Sequence, residues 1–173
     1  MEPPGSLVCY QSIASMMALA EKSPIGGCFV EVGVYKGGTA WHLAELARKQ
    51  KRELHLFDTF TGIPERIHDD SHKVGDFADT SFEMVREAIP DAIYHVGIFP
   101  NTLPFHMPAI AFAHIDCDQY MSTHAAIARL PLMVGGIMLF DDYDCTVGAT
   151  RAVKEAFGDS IHLTEQGKAY VIR

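Results

Sequence analysis

Residues 110–142 read IAFAHIDCDQYMSTHAAIARLPLMVGGIMLFDD, and they contain two apolar runs that each end in acidic residues. The first run, which begins one residue before this stretch, is Ala109–Ile115, and the second is Gly136–Phe140. Between them, Met121–Val134 has the length of one helix and closes at a pair of glycines. Antiparallel strands would not need so long a connection, so the pattern predicts a strand–helix–strand unit with parallel strands.

Acidic residues follow both predicted strands directly. Asp116 and Asp118 follow the first strand, and Asp141 and Asp142 follow the second. Parallel strands in such a unit are usually neighbours, roughly 4.8 Å apart, so the acids meet at one carboxyl edge. Ligands bind at this edge in open parallel sheets. Carboxylates crowded there repel one another unless they are protonated or neutralised, so the sequence predicts a metal site.

Length and composition limit the classes of protein that the chain can represent. The 173 residues fit one domain, residues 1–173, and 48% hydrophobic with 21% charged residues is ordinary for a soluble globular protein. A net charge of −8 argues against a nucleic-acid surface. The four cysteines are widely spaced and no apolar stretch approaches 18 residues, so we expect a cytoplasmic protein with reduced thiols and no membrane segment.

A glycine turn follows the first predicted strand, which is Cys28–Val34 after a helix over Ser6–Lys22. The turn leads into a helix over Ala40–Lys51, and this order is typical of the start of a nucleotide-binding fold. Its spacing, Glu31-x-Gly33-x-x-x-Gly37-Gly38, is not the GxGxxG of dinucleotide sites. The acid before the turn favours a cationic group over a pyrophosphate. The alternative interpretation of this pattern is a tight turn that binds no ligand.

An acid also ends the second predicted strand, Glu53–Asp58, about 20 residues after the glycine turn. In nucleotide-binding units this position takes the ribose hydroxyls, because a carboxylate accepts two hydrogen bonds from a diol. The polar loop that follows, Thr59–Thr80, is long enough to form a lid over a bound ligand. Its His68, Asp70 and His72 are either metal ligands or solvated loop residues.

The remaining elements complete an alternating pattern of helices and strands. A helix over Ser81–Ile89 and a strand over Asp91–Val96 precede the central unit, and a helix over Ala149–Phe157 follows it. The tail, Ser160–Thr164 with Ala169–Arg173, predicts a closing antiparallel hairpin.

Six segments, in this order, give a specific resemblance: FVEVGVYKGGTAWHLAELA, LHLFDTFTGIP, GDFADTSFEMVREAI, AHIDCDQYMSTHAAIARL, GGIMLFDDYDC and GATRAVKEAF. Together they resemble the macrocin O-methyltransferase family over roughly Cys28–Phe157. That family uses S-adenosylmethionine and magnesium to methylate sugar hydroxyls of antibiotics. The resemblance implies an α/β, Rossmann-like class I methyltransferase fold: a mostly parallel seven-stranded sheet with a C-terminal antiparallel hairpin and helices on both faces.

The resemblance also implies roles for individual residues. The methionine half of S-adenosylmethionine would be surrounded by Glu31, Gly33, Tyr35, Gly37 and Thr39. Asp58 would bind the ribose, and Gly97, Ile98 and Phe99 would face the adenine. The metal would be held by Asp116, Asp141 and Asp142, with Asp118 as the general base.

The sequence departs from the family pattern in two places. Cys117 and Gln119 replace a common Gly and a frequent Leu, and we expect a domain that lacks most of the family's N-terminal covering segment. We therefore expect a more open acceptor site, or one that a neighbouring subunit completes. The first helix would be either part of the core or a dimer face, so a homo-oligomer remains one of the expectations.

Magnesium chemistry suits the predicted site, because a hydroxyl bound to this cation becomes more acidic. Asp118 would then accept its proton while Asp116 helps hold the metal, and the acceptor would be a hydroxyl of a sugar, polyol or phenol. Two other classes of protein remain as alternatives. One is a metal-dependent nucleotide-sugar transferase that uses the Asp-x-Asp motif, and the other is a non-catalytic S-adenosylmethionine-binding module. The acids could also be plain helix caps, with Asp141 and Asp144 as candidates.

Overall fold

Seven strands form one mixed sheet in the order β3-β2-β1-β4-β5-β7-β6. The computed structural model describes residues 3–65 and 71–173. The strands are β1 (Cys28–Val32), β2 (Leu54–Asp58), β3 (Ile93–Val96), β4 (Ile110–Ile115), β5 (Leu132–Phe140), β6 (His162–Leu163) and β7 (Ala169–Ile172). The helices are α1 (Tyr10–Lys22), α2 (Gly38–Gln50), α3 (Phe82–Ala88), α4 (Tyr120–Arg129) and α5 (Val147–Phe157).

The direction of the strands confirms the predicted architecture. The pairs among β1, β2, β3, β4 and β5 are parallel, whereas β7 runs antiparallel to both β5 and β6. From β1 the chain moves outward to β2 and β3, and then returns to the other side of β1 as β4. This reversal creates a crevice at the carboxyl ends of β1 and β4, where ligands bind in open α/β sheets.

Helices cover both faces of the sheet. Residues of α1, α2 and α3 pack into one apolar cluster on the sheet, and residues of α4 and α5 pack into a second. All five residues of β1 are buried because the strand lies between β2 and β4, under helices on both sides. This position explains why its sequence, CFVEV, is apolar except for Glu31.

The predicted boundary between the central helix and the next strand is wrong. The prediction was a helix over Met121–Val134, but α4 ends at Arg129 and β5 already begins at Leu132. Pro131 explains the difference, because a proline disfavours helical geometry in the residue before it, and Leu130 is indeed extended. The glycine pair therefore lies within β5, where the pairing with β4 shifts in register.

The start of the first helix also differs from the prediction. The apolar pattern predicted a helix from Ser6, but α1 begins at Tyr10, and Cys9 before it has extended backbone geometry.

Across residues 3–65 and 71–173, none of the helices has the length and apolar character that would let it cross a membrane.

Candidate active site

A cavity of about 260 Å³ opens at the carboxyl ends of β1, β2 and β4. Its lining includes eleven of the predicted site residues: Gly33, Tyr35, Thr39, Asp58, Gly97, Ile98, Phe99, Asp116, Asp118, Asp141 and Asp142. Most of the residues predicted to bind the cofactor and all of those predicted to bind the metal therefore line one cavity. Their individual roles remain predictions.

Two residues with predicted cofactor contacts lie outside this lining. Glu31 is fully buried in β1, and its Oε1 is 2.7 Å from Nδ1 of His114 in β4. Gly37 caps α2 with a φ of 84°, and its N–H donates to the carbonyl of Val34 at 2.8 Å. Neither residue lines the cavity, because the sequence pattern locates an element but does not fix which of its side chains face a ligand.

Gly33 lies where the first turn approaches the acidic edge most closely. It has a φ of 87°, and a Cβ atom added there would lie 1.7 Å from the carbonyl oxygen of Asp116. Only glycine fits a site that combines this conformation with so short an approach. The turn after β1 and the end of β4 are therefore in contact through backbone atoms.

Asp58 organises the glycine turn from the end of β2. Its Oδ2 accepts hydrogen bonds from the backbone N–H groups of Val34 at 2.6 Å and Tyr35 at 2.9 Å. Its Oδ1 accepts from the N–H of Phe60 at 2.7 Å. A carboxylate has about four acceptor positions, so Asp58 holds the turn and keeps capacity for a further donor in the cavity.

The acidic edge brings three carboxylates together. One oxygen from each of Asp116, Asp141 and Asp142 lies within 4.8 Å of the others. Burial, followed by the charges of Asp142 and Asp141, raises the pKa of Asp116 well above its ordinary value. Burial and the charge of Asp118 raise the pKa of Asp142 to about 7. The shifts record an unfavourable concentration of negative charge that a cation would relieve.

Two cationic or ionisable side chains that the sequence did not single out as site residues lie beside Asp141. Nζ of Lys168, from the turn between β6 and β7, is 2.9 Å from Asp141 Oδ2. Nε2 of His114 is 4.0 Å from Asp141 Oδ1. Burial alone would lower the pKa of His114, but the hydrogen bond and charge of Glu31 outweigh it and raise that pKa. His114 is therefore a core residue and also a link to the acidic edge.

Asp118 has a backbone conformation that is uncommon for a residue with a side chain, with a φ of 58°. Its N–H donates to Asp142 Oδ2 at 2.7 Å, and its carbonyl accepts from Oγ1 of Thr146 at 2.8 Å. Thr146 is also the N-cap of α5, so the helix-cap roles suggested for Asp141 and Asp144 are wrong for this helix. Strained residues held in this way cluster at functional sites.

The described parts of the predicted lid pack over the cavity. Ile63 and Asp76 are joined by a backbone hydrogen bond of 2.9 Å, and the ring of Phe77 lines the cavity. Nε2 of His72 is 3.1 Å from Asp118 Oδ1, so His72 lies beside the predicted base and is not part of the group of three carboxylates. His68 and Asp70 lie outside the described residues.

Sequence reasoning missed the contribution of the segment before α1. Four consecutive residues, Gly5, Ser6, Leu7 and Val8, line the cavity. They lie against the start of α2, where a Cβ added at Gly38 would be 2.5 Å from Cβ of Ser6. The two apolar residues were assigned to the predicted helix, and their packing over a distant turn leaves no periodic signal in the sequence.

Two tyrosines near the acidic residues in the sequence, Tyr120 and Tyr143, do not line the cavity. The hydroxyl of Tyr120 donates to Glu155 at 2.8 Å, and the guanidinium of Arg151 lies 4.1 Å from the centre of its ring. Tyr143 packs against the cluster under α4 and α5. Both side chains are therefore used in packing between these helices.

Comparisons with known proteins found matches in sequence and in fold. A model of the macrocin O-methyltransferase (TylF) family matches residues 10–166. A search of curated protein sequences found no significant match. Among solved structures, the O-methyltransferase NovP is 23% identical, with a TM-score of 0.85 over 97% of this chain and 81% of that chain.

Two further structures share the fold. The calicheamicin methyltransferase CalS11 is 24% identical, with a TM-score of 0.83 over 94% of this chain and 78% of that one. TomG from Streptomyces achromogenes, solved in complex with S-adenosylmethionine, is 12% identical, with a TM-score of 0.57 over 96% of this chain and 81% of that one. At these identities the similarity to solved structures establishes the fold alone.

Proposed function

Because this chain belongs to the macrocin O-methyltransferase (TylF) family and is an S-adenosylmethionine-dependent O-methyltransferase, we propose that it methylates a hydroxyl of a small molecule with the help of a divalent cation. The observation that carries this proposal is the shared cavity. The turn held by Asp58 and the acidic edge at Asp116 line the same space. A methyl donor bound at the turn would therefore face an acceptor bound at the edge.

The cofactor would lie along the carboxyl ends of β1 and β2. In this proposal Gly33, Tyr35 and Thr39 contact the methionine half, and Gly97, Ile98 and Phe99 face the adenine. Asp58 accepts a hydrogen bond from the ribose with the capacity that its three backbone donors leave.

Glu31 and Gly37 act from outside the cavity lining. Glu31 Oε2 is buried and has no hydrogen-bond partner among residues 3–65 and 71–173. A buried carboxylate with unused acceptor capacity favours a cationic group nearby, which suits the ammonium and sulfonium charges of the cofactor. Gly37 starts α2, whose N-terminal end adds free N–H groups near the carboxylate of the methionine half.

The three carboxylates of Asp116, Asp141 and Asp142 fit a hard divalent cation such as Mg²⁺, which prefers oxygen ligands. When bound, this cation would make a coordinated hydroxyl more acidic. Lys168 would hold Asp141 in place by its contact with Oδ2 and would balance part of the negative charge. The raised pKa values of Asp116 and Asp142 fit a site that gains stability when positive charge is added.

Methyl transfer itself forms one O–C bond, breaks one S–C bond and releases the proton of the acceptor hydroxyl. The protein must align the two reactants and exclude water, since the displacement needs little covalent help. Asp118 is the candidate base that takes the proton, because it lines the cavity next to the acidic edge. Phe77 and the segment from Gly5 to Val8 would exclude water from above.

A sugar hydroxyl is the acceptor that the family favours. CalS11 is described as a TDP-rhamnose 3'-O-methyltransferase, and we extend this class of acceptor to the present chain only as part of the proposal. A polyol or phenol would satisfy the same chemistry. The alternative of a nucleotide-sugar transferase expects both acids of the Asp-x-Asp motif on one cation. Asp116 instead groups with Asp141 and Asp142, without Asp118.

Calorimetric titration of S-adenosylmethionine, with and without Mg²⁺, tests this function. We expect wild type to bind it and Asp58→Asn to weaken binding by about 1–3 kcal/mol, the cost of losing a charged hydrogen-bond acceptor. Asp91→Asn is the matched control, since Asp91 pairs with Arg48 at 2.7 Å and does not line the cavity. If wild type does not bind S-adenosylmethionine but binds a nucleotide sugar with Mn²⁺, the proposal is wrong.

A further inference from the structure

The imidazole of His72 lies directly beside the candidate base. Its Nε2 is 3.1 Å from Oδ1 of Asp118, and the two side chains are 29% and 19% exposed. The contact joins the loop after β2 to the loop after β4, which are more than 40 residues apart in the sequence. Neither the family match nor the acidic edge assigns a role to His72.

Aromatic and acidic neighbours fix the orientation of this imidazole. The ring of Phe77 packs against it with centroids 4.8 Å apart and planes at 63°, and Phe77 in turn packs against Tyr35 at 5.8 Å. On the other side of the imidazole, Nδ1 is 3.6 Å from Oδ2 of Asp76. Asp76 is itself held, because the same oxygen accepts from the N–H of Lys73 at 2.8 Å.

Residues 71–80, the segment that contains His72, form hydrogen bonds with Ile63 and Tyr35. The N–H of Gly75 donates to the carbonyl of Ile63 at 3.0 Å, and the carbonyl of Asp76 accepts from the N–H of Ile63 at 2.9 Å. Near the other end, the hydroxyl of Tyr35 donates to Asp79 Oδ1 at 2.7 Å. Residues 71–80 therefore contact Ile63, Tyr35 and, through His72, Asp118.

We propose that His72 is a positioning residue: it presents an Nε2–H to Asp118, orients that carboxylate toward the acceptor, and secures residues 71–80 over the cavity. This inference rests on the proposed function. In the reaction the acceptor O–H bond breaks as the new O–C bond forms, and the S–C electron pair remains on sulfur. The proton passes to the Asp118 carboxylate and from there to solvent. His72 keeps its own proton throughout, since its task is to hold the base.

The first test is the tautomer of His72 in the free enzyme. A carboxylate oxygen beside Nε2 requires a proton on that nitrogen, because two lone pairs would otherwise face each other. Long-range ¹H–¹⁵N NMR of the imidazole at pH 8 should show the Nε2–H form in wild type and a loss of that preference in Asp118→Ala. A wild-type imidazole protonated on Nδ1 alone, or one that Asp118→Ala leaves unchanged, would overturn the proposal.

The second test measures how strongly the backbone N–H groups of residues 71–80 are protected from hydrogen exchange, again without ligands. We expect His72→Ala and His72→Phe to speed exchange in this segment about tenfold or more, and His72→Gln, which restores an N–H donor, to recover most of the protection. His106→Ala is the matched control, because His106 is exposed on another loop. Equal exchange in wild type and His72→Ala would overturn the proposal. Since both tests use the free enzyme, their failure is distinct from a failure to bind S-adenosylmethionine.

Discussion

The imidazole of His114 lies between Glu31, in β1, and Asp141, directly after β5. Its Nδ1 is 2.7 Å from Glu31 Oε1 in β1, and its Nε2 is 4.0 Å from Asp141 Oδ1 after β5. Both Glu31 and His114 are almost completely buried, so neither can exchange its partner for water. The buried pair therefore connects β1 to the acidic edge through side-chain contacts.

Removing one member of this pair should strongly destabilise the protein. We expect Glu31→Ala to lower the free energy of unfolding by about 3–5 kcal/mol, because it removes one partner of a buried pair and leaves Nδ1 of His114 without its 2.7 Å contact. Urea denaturation at pH 7 measures the loss. Glu45→Ala is the control, since Glu45 pairs with Arg48 at the surface and should cost no more than about 1 kcal/mol. Similar losses in both variants would contradict a special role for the buried pair.

A methyl group at Gly33 should be far more damaging than one at Gly75, although the two residues have φ angles of 87° and 86°. At Gly75 a Cβ would enter open space, so Gly75→Ala should cost only about 1–2 kcal/mol for its left-handed backbone. At Gly33 the Cβ would overlap the carbonyl of Asp116. We therefore expect Gly33→Ala either to unfold the protein or to abolish S-adenosylmethionine binding. Thermal denaturation with calorimetry distinguishes the two variants, and equal effects would show that backbone strain alone matters.

The two acids of the Asp-Cys-Asp motif should differ in their effect on metal binding. We expect Asp116→Ala to weaken Mg²⁺ or Mn²⁺ binding by more than about tenfold, because it removes one of three convergent oxygen ligands. Asp118→Asn should retain the metal, since Asp118 contacts Asp142 through its backbone N–H, and it should instead lose turnover. Metal titration by calorimetry tests both variants. Equal metal affinity in wild type and Asp116→Ala would refute the assignment.

Acid should destabilise the protein through a histidine pair, one buried and one half-buried, that lies in β2 and β3, whereas the acidic edge follows β4 and β5. His55 Nδ1 lies 3.0 Å from His95 Nε2, and burial lowers the pKa of both residues from the ordinary 6.5. The unfolded chain therefore binds protons more readily than the folded one, and this pair's contribution to stability falls as the pH drops through about 6.5. Denaturation at pH 7.5 and 5.5 should show a smaller acid loss in a His55→Gln/His95→Gln variant than in wild type. His106→Gln, at an exposed histidine, should behave like wild type.

Local sequence was sufficient for the order of the elements and for the place of the site. Strands buried on both faces must be apolar, and parallel strands must be joined by long connections, so both features can be read from the pattern of residues 110–142. The convergence of Asp116 with Asp141 follows from the same rule, because both residues come directly after neighbouring parallel strands. Where local chemistry was overlooked, as with the proline that ends α4 early, the predicted boundary failed.

The sequence by itself thus determined a mostly parallel sheet with a glycine turn, an acid at the end of the second strand and an acidic edge, since hydrophobic periodicity and turn residues act over short distances. Only the tertiary structure decided which side chains meet there. It paired Oε1 of Glu31 with His114, brought Lys168 to Asp141, and placed His72 beside Asp118. Glu31 and His114 are 83 positions apart in the sequence, and Lys168 and Asp141 are 27 positions apart. His72 and Asp118 are 46 positions apart. Such pairs depend on the packing of whole elements, which leaves no periodic signal in the chain.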